Sequence, residues 1–280
     1  MAIFRGTIRS KTLMMDTSVN IVVPYEQHYA ATKAREFKTV ILLHGLKQNA
    51  DAWPRMSRVE QYAHAAGFNV VMPEAQRSFY TDMTYGLAYF DYIANELPQM
   101  LSAVFRMPTD SAHLYVGGLS MGGFGAFKCA LTYPERFAGV MSYSGALYCF
   151  EELSKYESIF SLLLPQENKI PAAIIRNMEI IIFFIAASYS EYIRGIRTES
   201  SLTSLAQKAS ASSCKPRMYL ACGTEDSLLE DNRRFAAYLR TLGFNPVYEE
   251  WSGQHDWTFW DRACARSFAL MAELDPQFME

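Results

Sequence analysis

Residues Leu114 to Cys129 read LYVGGLSMGGFGAFKC. An apolar strand, Leu114 to Val116, runs through Gly117, Gly118, Leu119, Ser120, Met121, Gly122 and Gly123 into a helix rich in Ala and Phe. Gly118-x-Ser120-x-Gly122 is the nucleophile-elbow pattern, in which a serine sits in strained backbone on a sharp strand-to-helix turn. The positions two before and two after that serine approach neighbouring chain too closely for a side chain, and glycine removes the clash. Gly-Ser turns are common on their own. A strand before and a helix after are what the motif requires.

Outward from this stretch, strands and helices alternate. Upstream, Thr39 to Leu43 is too continuously apolar for a half-exposed strand and belongs inside a parallel sheet. It opens into His44-Gly45-Leu46, a helix predicted from about Asp51 to Ala66 that stops at Gly67, and a second buried strand, Asn69 to Met72. Residues Arg77 to Gly86 have neither helical nor strand period and predict an aromatic loop, followed by a helix from about Tyr89 to Phe105. At the start of the chain, Ile3 to Ser10 and Val19 to Val23 predict an antiparallel hairpin at a sheet edge. Downstream, strands Ala138 to Tyr143, Pro216 to Ala221 and Pro246 to Trp251 are joined by a helix from about Leu229 to Leu242, and a helix from Trp257 to about Leu274 closes the chain. The pattern predicts an α/β fold, with a mostly parallel central sheet and helices on both faces.

The 280 residues, half of them apolar, suffice for one domain over 1–280. Leu147 to about Ser213 breaks the rhythm. Within it, Ile170 to Ser188 (IPAAIIRNMEIIIFFIAAS) is interrupted by Arg176, Asn177 and Glu179, whereas a bilayer span needs about 20 apolar residues with few charges. The expectation is a helical, lid-like insertion at about 147–213 that covers the site or packs against another copy in a homo-oligomer. No single aromatic there, such as Phe183, Phe184 or Tyr189, is assigned to a ligand.

A formal charge of −3 and a pI near 6.0 offer neither a basic surface for nucleic acid nor a polybasic membrane anchor. Small substrates fit better. The opening Met1-Ala2-Ile3-Phe4-Arg5 lacks the apolar core and cleavage site of a signal peptide. Five cysteines with no CxxC pair predict no zinc site and reduced, buried thiols in a cytoplasmic protein.

A serine hydroxyl is a poor nucleophile at neutral pH, so Ser120 needs an imidazole to take its proton and a carboxylate to orient that imidazole. Among five histidines, His28 lies in a polar connection, His64 in a helix, His113 at the start of the central strand, and His44 in the loop after another strand. Only His255 follows the last strand in a Gly-containing loop, in the order nucleophile, acid, base. For the acid, Asp226 follows the strand Pro216 to Ala221. Glu225 is its immediate rival, since adjacent side chains leave a strand on different sides. Asp226 is preferred because the turn Gly223-Thr224-Glu225 swings the next residue back over the sheet edge; Asp256 reads as a neighbour of the base and Asp231 as a surface charge. Negative charge developing on a substrate carbonyl needs fixed donors: the backbone N–H of Met121, and one from the loop after Val40 to Leu43, best assigned to Leu46. His44-Gly45 would shape that loop, though an ordinary strand-ending turn explains His44 as well.

These residues resemble a known group. LLHGLKQNADAW (Leu42 to Trp53), FYTDMTYG (Phe79 to Gly86), the elbow GLSMGGFGAFK, YSGAL (Tyr143 to Leu147), CGTEDSLLEDNRRF (Cys222 to Phe235) and GQHDWTFWD (Gly253 to Asp261) are similar to α/β-hydrolases of the tributyrin esterase and feruloyl esterase group, related to esterase D and S-formylglutathione hydrolase. The resemblance spans most of the chain. It implies the α/β-hydrolase fold, a triad of Ser120, Asp226 and His255, oxyanion donors at Leu46 and Met121, no cofactor or metal, and hydrolysis of small-molecule esters with short acyl or hydroxycinnamoyl groups. A thioesterase of the S-formylglutathione type or an acyltransferase is the alternative it implies. Leu147 to Ser213 departs from the group in its richness in Ile and Phe.

Overall fold

The protein is represented by a computed structural model that describes residues 1–24, 37–83, 87–149 and 201–274. Among them eight strands form one sheet: β1 (Ala2–Ser10), β2 (Met15–Val23), β3 (Lys38–Leu43), β4 (Phe68–Pro73), β5 (Leu114–Leu119), β6 (Gly139–Tyr143), β7 (Arg217–Gly223) and β8 (Val247–Trp251). Their order across the sheet is β1-β2-β4-β3-β5-β6-β7-β8. The hairpin β1–β2 joins β4 antiparallel, and every pairing from β4 to β8 is parallel. Strand β2 begins four residues earlier than expected because the ladder runs down to Ser10 opposite Met15.

A parallel sheet must be covered on both faces, and the helices supply the cover. They are α1 (Ala52–Met56), α2 (Val59–Ala66), α3 (Tyr89–Asp91), α4 (Leu97–Phe105), α5 (Met121–Thr132), α6 (Leu202–Ala209), α7 (Leu229–Thr241) and α8 (Trp257–Ala272). Successive strand residues point to opposite faces. Ile41, Leu43 and Val116 therefore pack with residues of α4, α5, α6 and α7. Val40, Leu42 and Tyr115 pack on the other face with α2 and α8.

Three helices depart from the sequence reading. The helix expected over 51–66 is broken at Ser57, whose backbone is extended at φ −139° and whose hydroxyl donates to the Trp53 carbonyl (2.6 Å). The next N–H, of Arg58, donates to Asp261 on α8 (2.8 Å), so the break docks α2 against α8. Between α3 and α4 the chain makes a wide π turn, Tyr92–Glu96. Pro98 accounts for it: proline has no N–H to donate, and its ring would strike a carbonyl one α-turn back. Helix α8 ends at Ala272, two residues early, where Glu273 turns left-handed (φ 59°).

Of the expected insertion at 147–213, residues 150–200 lie outside the described residues, as do Phe183, Phe184 and Tyr189 and the suggested lid or oligomer contact; helix α6 falls in its final part. Among the described residues no helix is long and apolar enough to cross a membrane. Cys129, Cys149, Cys222 and Cys264 are buried as expected, but Cys214 is exposed, in the loop before β7 where no sheet face covers it.

Candidate active site

Ser120 stands between β5 and α5 at φ 53° and ψ −114°, a backbone conformation that a residue with a Cβ adopts only when its surroundings hold it there. The hold is visible on both sides of the residue. Its N–H donates to Tyr143 at the end of β6 (2.9 Å), and its carbonyl accepts from Phe124 (3.2 Å) and Ala146 (3.1 Å). A Cβ on Gly118 would lie 2.6 Å from the Gly122 carbonyl carbon, and one on Gly122 would lie 2.5 Å from the Leu43 carbonyl oxygen. The elbow is thus wedged against the exit of β3. Gly122→Ala is expected to cost about 3 kcal/mol or more, since the obstacle is backbone that cannot rotate away. For a chain of this size that lowers the thermal midpoint by roughly 6 to 12 °C, measurable by differential scanning calorimetry; an unchanged midpoint would mean that the β3 exit yields.

His255 and Asp226 meet Ser120 above the C-terminal ends of the parallel strands. His255 Nε2 lies 3.0 Å from Ser120 Oγ, and His255 Nδ1 lies 2.8 Å from Asp226 Oδ2. The Asp226 side chain is fully buried, whereas that of His255 is 35 % exposed, so the carboxylate is shielded and the base faces the solvent side. Burial by itself would raise the Asp226 carboxyl. Hydrogen bonds and charge from His255, together with the Leu228 N–H on Oδ1 (2.9 Å), outweigh it and hold the group below the usual aspartate range. The Trp260 ring meets the imidazole edge to face at 4.9 Å.

The rival acid does something else. Glu225 turns outward and accepts from the Gly253 N–H and from the hydroxyls of Thr224 and Ser252, bonds that lower its carboxyl and clip the histidine-bearing loop to the end of β7. Asp256 caps α8 by accepting from the Phe259 N–H (3.1 Å). Asp231 is not the surface charge expected: it is 1 % exposed in the first turn of α7, on a face that the apolar core covers. His113 bonds Asp110 ahead of β5, at the opposite strand end from Ser120, and His64 sits in α2. His28 lies outside the described residues.

Of the two expected oxyanion donors, one follows the serine directly and the other lies in the loop after β3. Met121 is the first residue of α5, where an N–H has no acceptor within its own helix. Leu46 lies in the half-buried loop beyond β3, against which Gly122 is wedged. His44, in the loop after β3, is 1 % exposed and has both ring nitrogens engaged, one with the Gly45 carbonyl and the other with the Ala75 N–H. Sequence reasoning missed Asn232, fully buried on α7, whose side-chain amide donates to Gly145 (3.0 Å) and Leu228 (2.9 Å). It ties the loop after β6, which bonds Ser120, to the loop carrying Asp226. Nothing in its local pattern marks it out. Among the described residues no cluster of three or more His, Cys, Asp or Glu could hold a metal.

Taken together, the hydroxyl, imidazole and carboxylate form a continuous hydrogen-bonded line. Such a line can move a proton off a hydroxyl while adjacent donors receive negative charge.

The model of the Esterase family matches residues 10–270. An acetyl esterase of Caldicellulosiruptor saccharolyticus is 29 % identical over 287 residues, covering 98 % of this chain and 99 % of its own. Two Staphylococcus aureus structures are similar throughout. One is the fluorophosphonate-binding serine hydrolase FphF, with TM-score 0.77, 28 % identity and coverage of 97 % of this chain and 98 % of its own. The other is the S-formylglutathione hydrolase FrmB, with TM-score 0.75, 26 % identity and the same coverage.

Proposed function

From the premise that this chain belongs to the Esterase family and is a carboxylic ester hydrolase of the α/β-hydrolase fold, we propose that it is a serine carboxylesterase acting on esters of short-chain or hydroxycinnamic acids. The observation that carries the mechanism is the line Ser120 Oγ, His255 Nε2, His255 Nδ1, Asp226 Oδ2, with links of 3.0 and 2.8 Å. His255 takes the Ser120 proton as Oγ bonds to the ester carbonyl carbon. The oxygen that becomes negative is received by the N–H groups of Leu46 and Met121. The C–O bond to the alcohol then breaks, and the alcohol leaves with the proton from His255. Water, deprotonated by the same imidazole, attacks the acyl-enzyme and releases the acid, restoring Ser120. Asp226 holds the imidazole with Nδ1 protonated and stabilises its cation.

The acetyl esterase relative supports the short-acyl preference. Likeness to FrmB favours one second reading, hydrolysis of thioesters of the S-formylglutathione type. The reading includes a single catalytic domain over 1–280, which the family match over 10–270 supports, and a cytoplasmic setting, which five cysteines without a bonded pair support. The test is a comparison of kcat/KM for p-nitrophenyl acetate, butyrate and octanoate, methyl ferulate and S-formylglutathione. Acetate and butyrate are expected to exceed octanoate by at least about tenfold, since a pocket that admits one chain length discriminates by roughly 1–3 kcal/mol. A thioester rate tenfold above all the esters selects the second reading, and no hydrolysis of any of them rejects both.

A further inference from the structure

The loop that carries His255 spans only Ser252 to Asp256, between the end of β8 and the start of α8. Its far end is fixed by the helix: Asp256 accepts from the Phe259 N–H (3.1 Å), and the Trp260 N–H donates to the Asp256 carbonyl (3.1 Å). Its near end is fixed by one residue. Both backbone groups of Gly253 are bonded to Glu225, whose carboxylate accepts from the Gly253 N–H and whose own N–H donates to the Gly253 carbonyl (3.1 Å). The same carboxylate accepts from the hydroxyls of Thr224 (2.9 Å) and Ser252 (3.4 Å).

The ends of the two strands explain why a side chain is needed there. Gly223 opposite Trp251 is the last register pair of β7 and β8, and the Thr224 N–H still reaches the Trp251 carbonyl (3.0 Å). Then β7 turns away, with the Asp226 N–H donating back to the Gly223 carbonyl (3.1 Å). The Gly253 N–H meets a carboxylate instead of a strand carbonyl, a charge-assisted bond of the stronger kind. Backbone contact leaves the loop little room: a Cβ on Gly223 would lie 2.1 Å from the Gly253 carbonyl oxygen, and one on Gly253 would lie 2.7 Å from the Phe259 ring. Behind the loop runs a groove lined by Glu225, Trp251, Ser252, Gln254 and Asp256 but by neither Ser120 nor His255, so the clip lies away from the reacting atoms.

We propose that Glu225 is a positioning residue for the base: by holding Gly253 at the end of β7 it sets where the His255 ring stands over Ser120. The inference rests on the serine esterase reading above. Neighbouring carboxylates then divide one task, since Asp226 orients the imidazole through Nδ1 at 2.8 Å while Glu225 fixes the backbone two residues earlier. A displaced base lengthens its 3.0 Å link to Ser120 Oγ, and the cost falls on the chemical step rather than on substrate binding.

Two replacements that both remove the charge separate position from electrostatics: glutamine keeps an oxygen acceptor for the Gly253 N–H, and alanine does not. On p-nitrophenyl butyrate, Glu225→Ala is expected to lower kcat by about 10- to 100-fold with KM changed by less than about twofold, the pattern of a misplaced catalytic group. Glu225→Gln should keep kcat within about threefold of wild type. The proton NMR signal of His255 Nδ1–H, held to Asp226 in the wild type, should vanish by exchange with water in the alanine variant and persist in the glutamine variant. A Glu225→Ala enzyme that melts earlier yet keeps kcat within about threefold of wild type overturns the proposal, as does an equal loss of kcat in both variants, which would assign the effect to charge. If the alanine variant does not fold, hydrogen exchange in the wild type decides: a protected Gly253 amide supports the clip, and an amide exchanging at the rate of an open loop overturns it. Ser120→Ala, assayed beside them, separates the two layers. If it keeps the wild-type rate, the esterase mechanism fails; if it loses the rate while Glu225→Ala does not, only the clip fails.

Discussion

Ser120→Ala is expected to lower kcat on p-nitrophenyl acetate by about 10⁴- to 10⁶-fold, the range over which removal of an activated serine leaves only binding and oxyanion stabilisation. The replacement deletes one oxygen and leaves the elbow otherwise intact. Alanine inherits the φ of 53°, and the bonds that hold this residue, to Tyr143, Phe124 and Ala146, all use its backbone. Stability should therefore shift by no more than about 1 kcal/mol, so the loss of rate can be charged to chemistry. Active-site labelling by a fluorophosphonate, which needs the hydroxyl, should vanish in parallel. Retention of more than a hundredth of the wild-type rate would refute the assignment of the nucleophile.

Asp226→Asn is expected to lower kcat by about 10³- to 10⁴-fold, through the tautomer of its neighbour. The aspartate accepts from His255 Nδ1–H at 2.8 Å. An asparagine amide turned toward that nitrogen would donate to it, placing the imidazole proton on Nε2, where it can no longer take the proton of Ser120 at 3.0 Å. The same substitution should alter the acid limb of stability. The Asp226 carboxyl is lowered in the folded protein, so between its folded value and the unfolded value of about 3.9 the unfolded chain binds the extra proton. Its stabilising contribution is complete above about pH 4 and is lost as pH falls through the folded value. Thermal midpoints of wild type and Asp226→Asn should therefore converge on acidification through that window. A difference that is the same at pH 2.5 and pH 6 would mean that Asp226 contributes through packing rather than charge.

The sheet was legible in the sequence wherever burial is two-sided. Thr39 to Leu43 and Leu114 to Val116 are continuous apolar runs, and both lie at the centre of the sheet. The elbow was legible because its glycines answer a local steric demand, and the distances a Cβ would meet at Gly118 and Gly122 are of that kind. Features set by distant partners were not legible. The break at Ser57 depends on Asp261, some two hundred positions away. The burial of Asp231 depends on what covers its helix face, and its flanking charges Glu230 and Arg233 point to the opposite conclusion. Between Glu225 and Asp226 the sequence offers two carboxylates in a row, and the swing of one turn decides which of them meets the imidazole. The two ring contacts of His44 need coordinates, since Gly45 is its neighbour but Ala75 arrives from the end of another strand.

The order of the strands has a consequence for how such a molecule comes into being. Ser120 and both candidate oxyanion donors come from β3 and β5, in the first half of the chain, while Asp226 and His255 come from the loops after β7 and β8 at one margin of the sheet. A chain emerging from the ribosome can complete a strained serine elbow well before it possesses a base. Under the proposed triad, that hydroxyl has no base to activate it until β7 docks on β6 and β8 docks on β7. On that reading, turnover depends on the pairing of β7 and β8 at the margin of the sheet as much as on the elbow at its centre.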